Sequence, residues 1–302
     1  MKTIITHQNF DYLGKEIAKD NKISQIPVSF DKFEDSWPNL FIEKVKDLVE
    51  HKEVTYIGDF SHPEDLFQNY AIIRGIIDYY ANKVRIILPY FPVGTMERID
   101  TKGQVATAKY FADILNSLPP AREGKTSIHI FDIHALVERF LFDSRTINAE
   151  IHTAMSLLKQ EIEGRTIVFP DEGASKRFGK DFGEFDTIVC SKVREGDKRV
   201  ITIKEGDPKG KDVIIIDDLI QTGGTIKKTA EKLRELGAKS VSAYATHGVF
   251  PNDSHIDLAL SLDKLIVTDS IPANIERAKN TLNMQVISIK SLVEKIIFHI
   301  DE

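Results

Sequence analysis

At 302 residues the chain is about twice the ~150 residues of a typical domain, so two domains are expected. Its 42% hydrophobic and 28% charged residues exclude wholesale disorder, and a net charge of -6 excludes a general nucleic-acid binder, which would carry a basic stripe. Anionic ligands stay open, because a site needs only local donors and metal ions.

Met1-Lys2-Thr3-Ile4-Ile5-Thr6-His7 turns polar too soon for a signal peptide, and no apolar run approaches the ~20 residues of a membrane span. A cytoplasmic protein without membrane association is expected. Val54 to Gly58, Val84 to Leu88 and Ser127 to Phe131 read as strands. Between them, Glu64 to Tyr80 and Val105 to Leu118 carry apolar residues at helical spacing, Leu66, Ile73, Ile76 and Ile77 in one, Ala108, Phe111, Ala112 and Leu115 in the other. Strand alternating with helix implies right-handed crossovers and a mostly parallel sheet.

The pattern then restarts. Ile151 to Glu161 reads as a helix with Leu157, Leu158 and Ile162 inward. Thr166 to Phe169, Thr187 to Cys190, Val213 to Ile216 and Ser240 to Tyr244 read as strands. We therefore expect an α/β fold in two domains, 1–150 and 151–302, each a mostly parallel sheet flanked by helices. The last ~20 residues are free to pack back on the first domain. Cys190 is the only cysteine, which excludes an internal disulfide, and its strand setting suits a small buried core residue rather than a nucleophile. The charged stretch Val193 to Lys211 fits a solvated hairpin or a mobile flap.

The most informative segment is Asp217-Asp218-Leu219-Ile220-Gln221-Thr222-Gly223-Gly224-Thr225. It follows the apolar run Val213 to Ile216 and precedes a helical pattern with Ile226, Ala230, Leu233 and Leu236, which Gly237 ends. Glycines let the backbone turn sharply and bring N–H groups close to a ligand, and a helix N-terminus favours phosphate. Thr222 and Thr225 add hydroxyl donors. Asp217 and Asp218 repel phosphate but suit the two hydroxyl donors of a sugar diol. The patterns G-x-x-x-x-G-K-[ST] and G-x-G-x-x-G are absent. This segment resembles the phosphoribosyl diphosphate-binding signature of the type I phosphoribosyltransferase fold, which serves both phosphoribosyltransferases and the synthetases that make the diphosphate.

Two upstream segments bear on that choice. In Phe131-Asp132-Ile133-His134-Ala135, residues two apart on an extended strand end face one way, so Asp132 and His134 could converge on a divalent metal or a catalytic water. In isolation a strand-end acid beside a hydrogen-bonded histidine is the favoured reading of this segment. Pro170-Asp171-Glu172-Gly173 is another strand-end acid with a glycine turn.

Taken in order with Tyr90-Phe91-Pro92, Lys192-Val193-Arg194 and Asp217 to Thr225, these segments resemble the ribose-phosphate diphosphokinase (phosphoribosyl diphosphate synthetase) family. The likeness runs from about Phe33 to about Ile271. It implies two phosphoribosyltransferase-like domains, Mg2+ associated with His134 and Asp171, and charge stabilisation by Lys192 and Arg194. It further implies ribose 5-phosphate on Asp217, Asp218, Gln221, Thr222, Gly223, Gly224 and Thr225, a nucleoside triphosphate such as ATP as donor, and a homo-oligomer. The commonest form of the family has arginine-glutamine-aspartate-arginine where this chain reads Thr95-Met96-Glu97-Arg98. That departure, the divergent flap and Phe33-Glu34-Asp35-Ser36-Trp37-Pro38-Asn39 resemble the plant-type (class II) branch, implying looser donor selection and no phosphate-dependent allosteric control. Nucleotide contacts then fall on Phe33, Asp35, Trp37, Arg98 and His134, although plain packing explains Trp37 equally well. A phosphoribosyltransferase that consumes the diphosphate and a non-catalytic, synthetase-like subunit are the alternatives.

Overall fold

The computed structural model describes residues 1–143, 145–195 and 198–299, apart from the side chains of residues 192–199. Two compact units make up the chain. In the first, β1 (Lys2–Thr6), β2 (Ser24–Gln25), β5 (Glu53–Ile57), β6 (Lys83–Leu88), β7 (Thr126–Phe131) and β8 (Ile147–His152) form a parallel sheet in the order β2-β1-β5-β6-β7-β8. A hairpin, β3 (Val28–Lys32) and β4 (Pro38–Ile42), stands apart from it. Helices α1 (Asp11–Asn21), α2 (Val45–Leu48), α3 (Asp65–Asp78) and α4 (Thr107–Asn116) complete the first 152 residues.

In the second unit, β9 (Thr166–Phe169), β10 (Thr187–Glu195), β11 (Lys198–Glu205), β12 (Asp212–Ile220), β13 (Ser240–Gly248), β14 (Lys264–Thr268) and β15 (Met284–Ile287) take the order β11-β10-β9-β12-β13-β14-β15. Among the described residues of this sheet, only the β10–β11 pairing is antiparallel. Its helices are α5 (Glu172–Phe178), α6 (Gly224–Glu235), α7 (His255–Leu260) and α8 (Ala273–Lys279). The chain then returns to the first unit with α9 (Lys290–Phe298). There Lys2 Nζ donates to the Ile297 carbonyl at 2.7 Å, Asn21 Nδ2 donates to Glu294 Oε1 at 2.7 Å, and Lys290 pairs with Asp20.

The central strands are almost wholly apolar because helices cover both faces of a parallel sheet. In β12, Val213 and Ile215 pack with Ile226, Ala230 and Leu233 of α6, while Ile214 and Ile216 face Phe178 and Phe182. Each such buried side chain contributes roughly 1.5–3 kcal/mol of burial free energy. In the first unit Ala108, Phe111, Ala112 and Leu115 of α4 are all buried, as their spacing predicts. Leu236 departs from its predicted face and is 39% exposed, because α6 ends at Glu235 and Gly237 turns the chain away at φ +89°.

One predicted element is wrong. Residues 151 to 161 are not a helix: Ile151 lies in β8, and only a 3-10 turn, Met155–Leu158, follows. Ile147, Ala149 and Ile151 alternate toward the core, and parallel pairing with β7 satisfies their backbone groups. Leu158 and Ile162 are nevertheless buried. Among the described residues no helix is long and apolar enough to cross a membrane.

Candidate functional site

Ligands of open parallel sheets bind beyond the carboxyl ends of the strands. In the second unit β9, β12 and β13 lie side by side there. After Ile220 the chain turns through Gln221 and Thr222, both exposed, to Gly223, which adopts φ +80°. A Cβ at Gly223 would lie 2.7 Å from Leu258 Cδ2, so both conformation and space require glycine. The turn is tied down from behind: Val249 N donates to the Ile220 carbonyl at 2.9 Å and Phe250 N to the Gln221 carbonyl at 3.1 Å. Gly223 is also the N-cap of α6, and no side chain caps that helix. Its first N–H groups therefore face outward beside the exposed Thr222 and Gly224, with about half a positive charge behind them. A turn of this geometry is suited to cradle an anion.

Beside it lies a group of carboxylates. Asp217 ends the apolar run of β12, and burial, with Asp218 and Asp171 beside it, raises its carboxyl well above the usual carboxylate range. The backbone N–H of Asp218 donates to Asp217 Oδ1 at 3.0 Å. Asp218 is 5% exposed, and its Oδ2 accepts from Arg177 Nη1 of α5 at 2.9 Å. Asp171 is the N-cap of α5, its Oδ1 accepting from Ala174 N at 3.0 Å. Cys190, buried as predicted, has its thiol pushed up to about 12 by burial and the neighbouring Asp171 charge. It is inert core.

The stretch beginning at Val193 is a hairpin, β10 against β11, which matches the first of its two sequence readings. The backbone of Lys192 and Arg194 lies in β10, and their side chains lie outside the described residues.

In the first unit the period-two argument for Asp132 and His134 fails. β7 ends at Phe131 and Asp132 takes φ +35°, so the chain is no longer extended. Asp132 is 2% exposed, its N–H donating to the His152 carbonyl at 2.9 Å, whereas His134 is exposed. Glu138, buried, braces this bend by accepting from Ala135 N at 3.1 Å. Gly94 sits against it; a Cβ there would come within 3.3 Å of His134 Cβ.

Phe33, Asp35 and Trp37 meet at the tip of the β3–β4 hairpin. Phe33 N donates to the Trp37 carbonyl at 2.9 Å, and Trp37 N donates to Asp35 Oδ1 at 3.2 Å. Trp37 is 60% exposed and Phe33 56%, so plain packing does not explain them, although Trp37 stands edge-on to Phe67 at 5.5 Å. Arg98 is exposed, with Glu97 and Asp100 each 3.6 Å from its Nε.

Arg177, Glu138 and Gly94 are absent from the sequence reading. Arg177 becomes visible only once β9 and β12 are known to be neighbours.

The fold is that of phosphoribosylpyrophosphate synthetases: the crystal structure of the Mycobacterium smegmatis protein superimposes with a TM-score of 0.82 at 24% identity, covering 98% of this chain and 97% of that one. Residues 2–118 match the family model for the N-terminal domain of ribose phosphate pyrophosphokinase, and residues 186–302 match that for the phosphoribosyl synthetase-associated domain. "Ribose-phosphate pyrophosphokinase 3, mitochondrial" of Spinacia oleracea is 40% identical, over 92% of this chain and 71% of its own. "Ribose-phosphate pyrophosphokinase 4" of Oryza sativa is 39% identical, over 91% and 88%. A Wolinella succinogenes member is 29% identical. The chain belongs to the ribose-phosphate pyrophosphokinase family, and it is more similar to these two plant members than to that bacterial one.

Proposed function

We propose that the chain transfers the diphosphoryl group of ATP to the anomeric hydroxyl of ribose 5-phosphate, giving 5-phosphoribosyl 1-diphosphate and AMP. The observation that carries this reading is the uncapped start of α6 behind Gly223, placed directly after the acid-ended strand β12 in a member of this family. The N–H groups of this turn and the hydroxyls of Thr222 and Thr225 hold the 5-phosphate, with Gln221 and Gly224 shaping the rim. Asp217 accepts from the ribose hydroxyls. Arg177 donates to Oδ2 of Asp218, so we assign Asp218 a bracing task beside the diol contact expected of it. It fixes the strand end on which Asp217 stands.

Oxygen donors at Asp171 and Asp217 suit Mg2+; burial first, and then the neighbouring Asp218 and Asp171 carboxylates, raise the pKa of Asp217, and a bound cation would relieve that charge crowding. Asp171 would hold Mg2+ in the second unit and His134 is assigned a metal-associated role in the first, where a bound ion would supply neutralisation of the charge on phosphate oxygens. The buried, bent position of Asp132 speaks against it as a ligand. Transfer then needs positioning and cationic donors more than covalent chemistry, and Lys192 and Arg194 are the donors we assign. Phe33 and Trp37 offer aromatic faces to the base, with Asp35 ordering their turn. Arg98 and His134 serve the nucleotide phosphates. A cytoplasmic location and a homo-oligomeric state complete the proposal.

The test is incubation of the purified protein with ribose 5-phosphate, Mg2+ and each nucleoside triphosphate in turn. AMP, or the matching nucleoside monophosphate, should appear only when ribose 5-phosphate is present. No monophosphate with any donor would leave the non-catalytic reading in possession.

A further inference from the structure

The other notable cluster of ligand atoms lies away from these segments, on β7 and the edge strand β8. His129 stands directly opposite Glu150 in the parallel register, and His152 follows Glu150 by two residues on the same face. Ligand atoms of His129, Glu150 and His152 all lie within 4.8 Å of one another. His129 Nδ1 is 2.9 Å from His152 Nε2 and 3.5 Å from Glu150 Oε2. We propose that these three residues form a binding site for a transition-metal dication of the zinc class, separate from the residues proposed for Mg2+.

The donor set argues for that class. Two imidazoles and one carboxylate are a common zinc set with an open fourth position, whereas Mg2+ prefers oxygen alone. Nitrogens bound to one tetrahedral ion at about 2.0–2.1 Å sit about 3.3 Å apart, so the present 2.9 Å contact needs only a small opening. The outer contacts are already in place. Ser127 Oγ lies 3.0 Å from His129 Nε2, and when that nitrogen carries the proton the Nδ1 lone pair points at the site. Asn148 Nδ2 donates to Glu150 Oε1 at 2.8 Å, which leaves Oε2 toward the histidines.

Burial, together with the nearby His152, Arg85 and His299 charges, pulls His129 down to about 3, and burial lowers His152 as well. Both imidazoles are therefore neutral ligands at neutral pH. Arg85 and His299 face the same region, with Arg85 Nη2 3.2 Å from His299 Nε2. The positive charge of Arg85 opposes a second cation, so the Glu150 carboxylate is essential to affinity. A bound ion would clasp β8, the last strand of the first sheet, to β7.

The test uses the full chain, stripped with chelator and titrated with Co2+ in excess Mg2+, reading the visible absorption of nitrogen-bound tetrahedral cobalt and its displacement by Zn2+. One equivalent of Co2+ should give that spectrum. Glu150→Gln should weaken binding at least tenfold and His152→Asn should abolish the spectrum. Both positions are partly exposed, so circular dichroism should show both variants folded, and Glu150→Gln should leave Mg2+-dependent AMP release unchanged. No tetrahedral spectrum in the parent protein, or the same spectrum and affinity in both variants, overturns the site.

Discussion

β7 in the first unit and β12 in the second are both interior parallel strands, and the apolar run of each is followed at once by aspartate, Asp132 just past β7 and Asp217-Asp218 within β12. The chain leaves them in opposite ways. After β12, Gly223 takes a left-handed conformation and delivers the chain into a 12-residue helix whose N-terminal donors face outward. After β7, Asp132 itself takes the positive φ, is buried, and leads only into the 3-10 turn Leu136–Leu141 braced by Glu138. A parallel sheet is used twice, but of these two strand exits the one after β12 leads into an outward-facing helix start. The difference lies in the glycine and the amphipathic α6 that follow, not in the strands, which is why function has to be read from the turns.

The largest effect that probes this contrast concerns Asp218. Arg177→Ala leaves a nearly buried carboxylate without its 2.9 Å partner and should cost about 3–5 kcal/mol in urea unfolding at neutral pH. Asp218→Asn in the same chain should recover part of that loss. A cost well under 1 kcal/mol would mean that Arg177 does not brace the β12 end. A smaller effect comes from Asp217. Its folded-state pKa is raised, so the native protein binds more protons than the unfolded chain, and stability falls as pH rises above the ordinary aspartate range. Asp217→Asn removes that loss. It should raise unfolding free energy at pH 7–8 by about 1 kcal/mol, the ordinary scale of a single substitution, and weaken ribose 5-phosphate binding. A variant less stable than the parent at pH 8, or one with unchanged ribose 5-phosphate affinity, breaks the assignment.

The smallest effect on stability belongs to the first unit. Trp37 is 60% exposed, so Trp37→Ala should change unfolding free energy by under about 0.5 kcal/mol. If the ring stacks on a base, KM for the nucleotide should rise about tenfold, since stacking is worth about 1–3 kcal/mol. Unchanged nucleotide kinetics would take the hairpin tip out of donor binding.

The second-unit turn was legible in advance because its signals are local: an apolar run, two acids, two glycines and a helix with a clean apolar face. Cys190 was legible for the same reason. Long-range pairing hid the rest. Ile151 to Glu161 has helical spacing, but pairing of Ile147–His152 with β7 overrides it. The Arg177–Asp218 pair joins residues 41 apart in sequence, and His129 meets His152 across 23. The shared face assigned to Asp132 and His134 assumed an extended chain, which a single positive φ removes.

The account rests on the cradle at the start of α6, and phosphorus NMR of ribose 5-phosphate titrated with the intact protein tests it directly. The 5-phosphate resonance should shift and broaden with the parent chain. With Gly223→Val, whose branched side chain must adopt φ +80° and collide with Leu258, the effect should vanish, while circular dichroism still reports a folded protein. Equal perturbation of the phosphate signal by both proteins would contradict the assignment and place the sugar phosphate elsewhere.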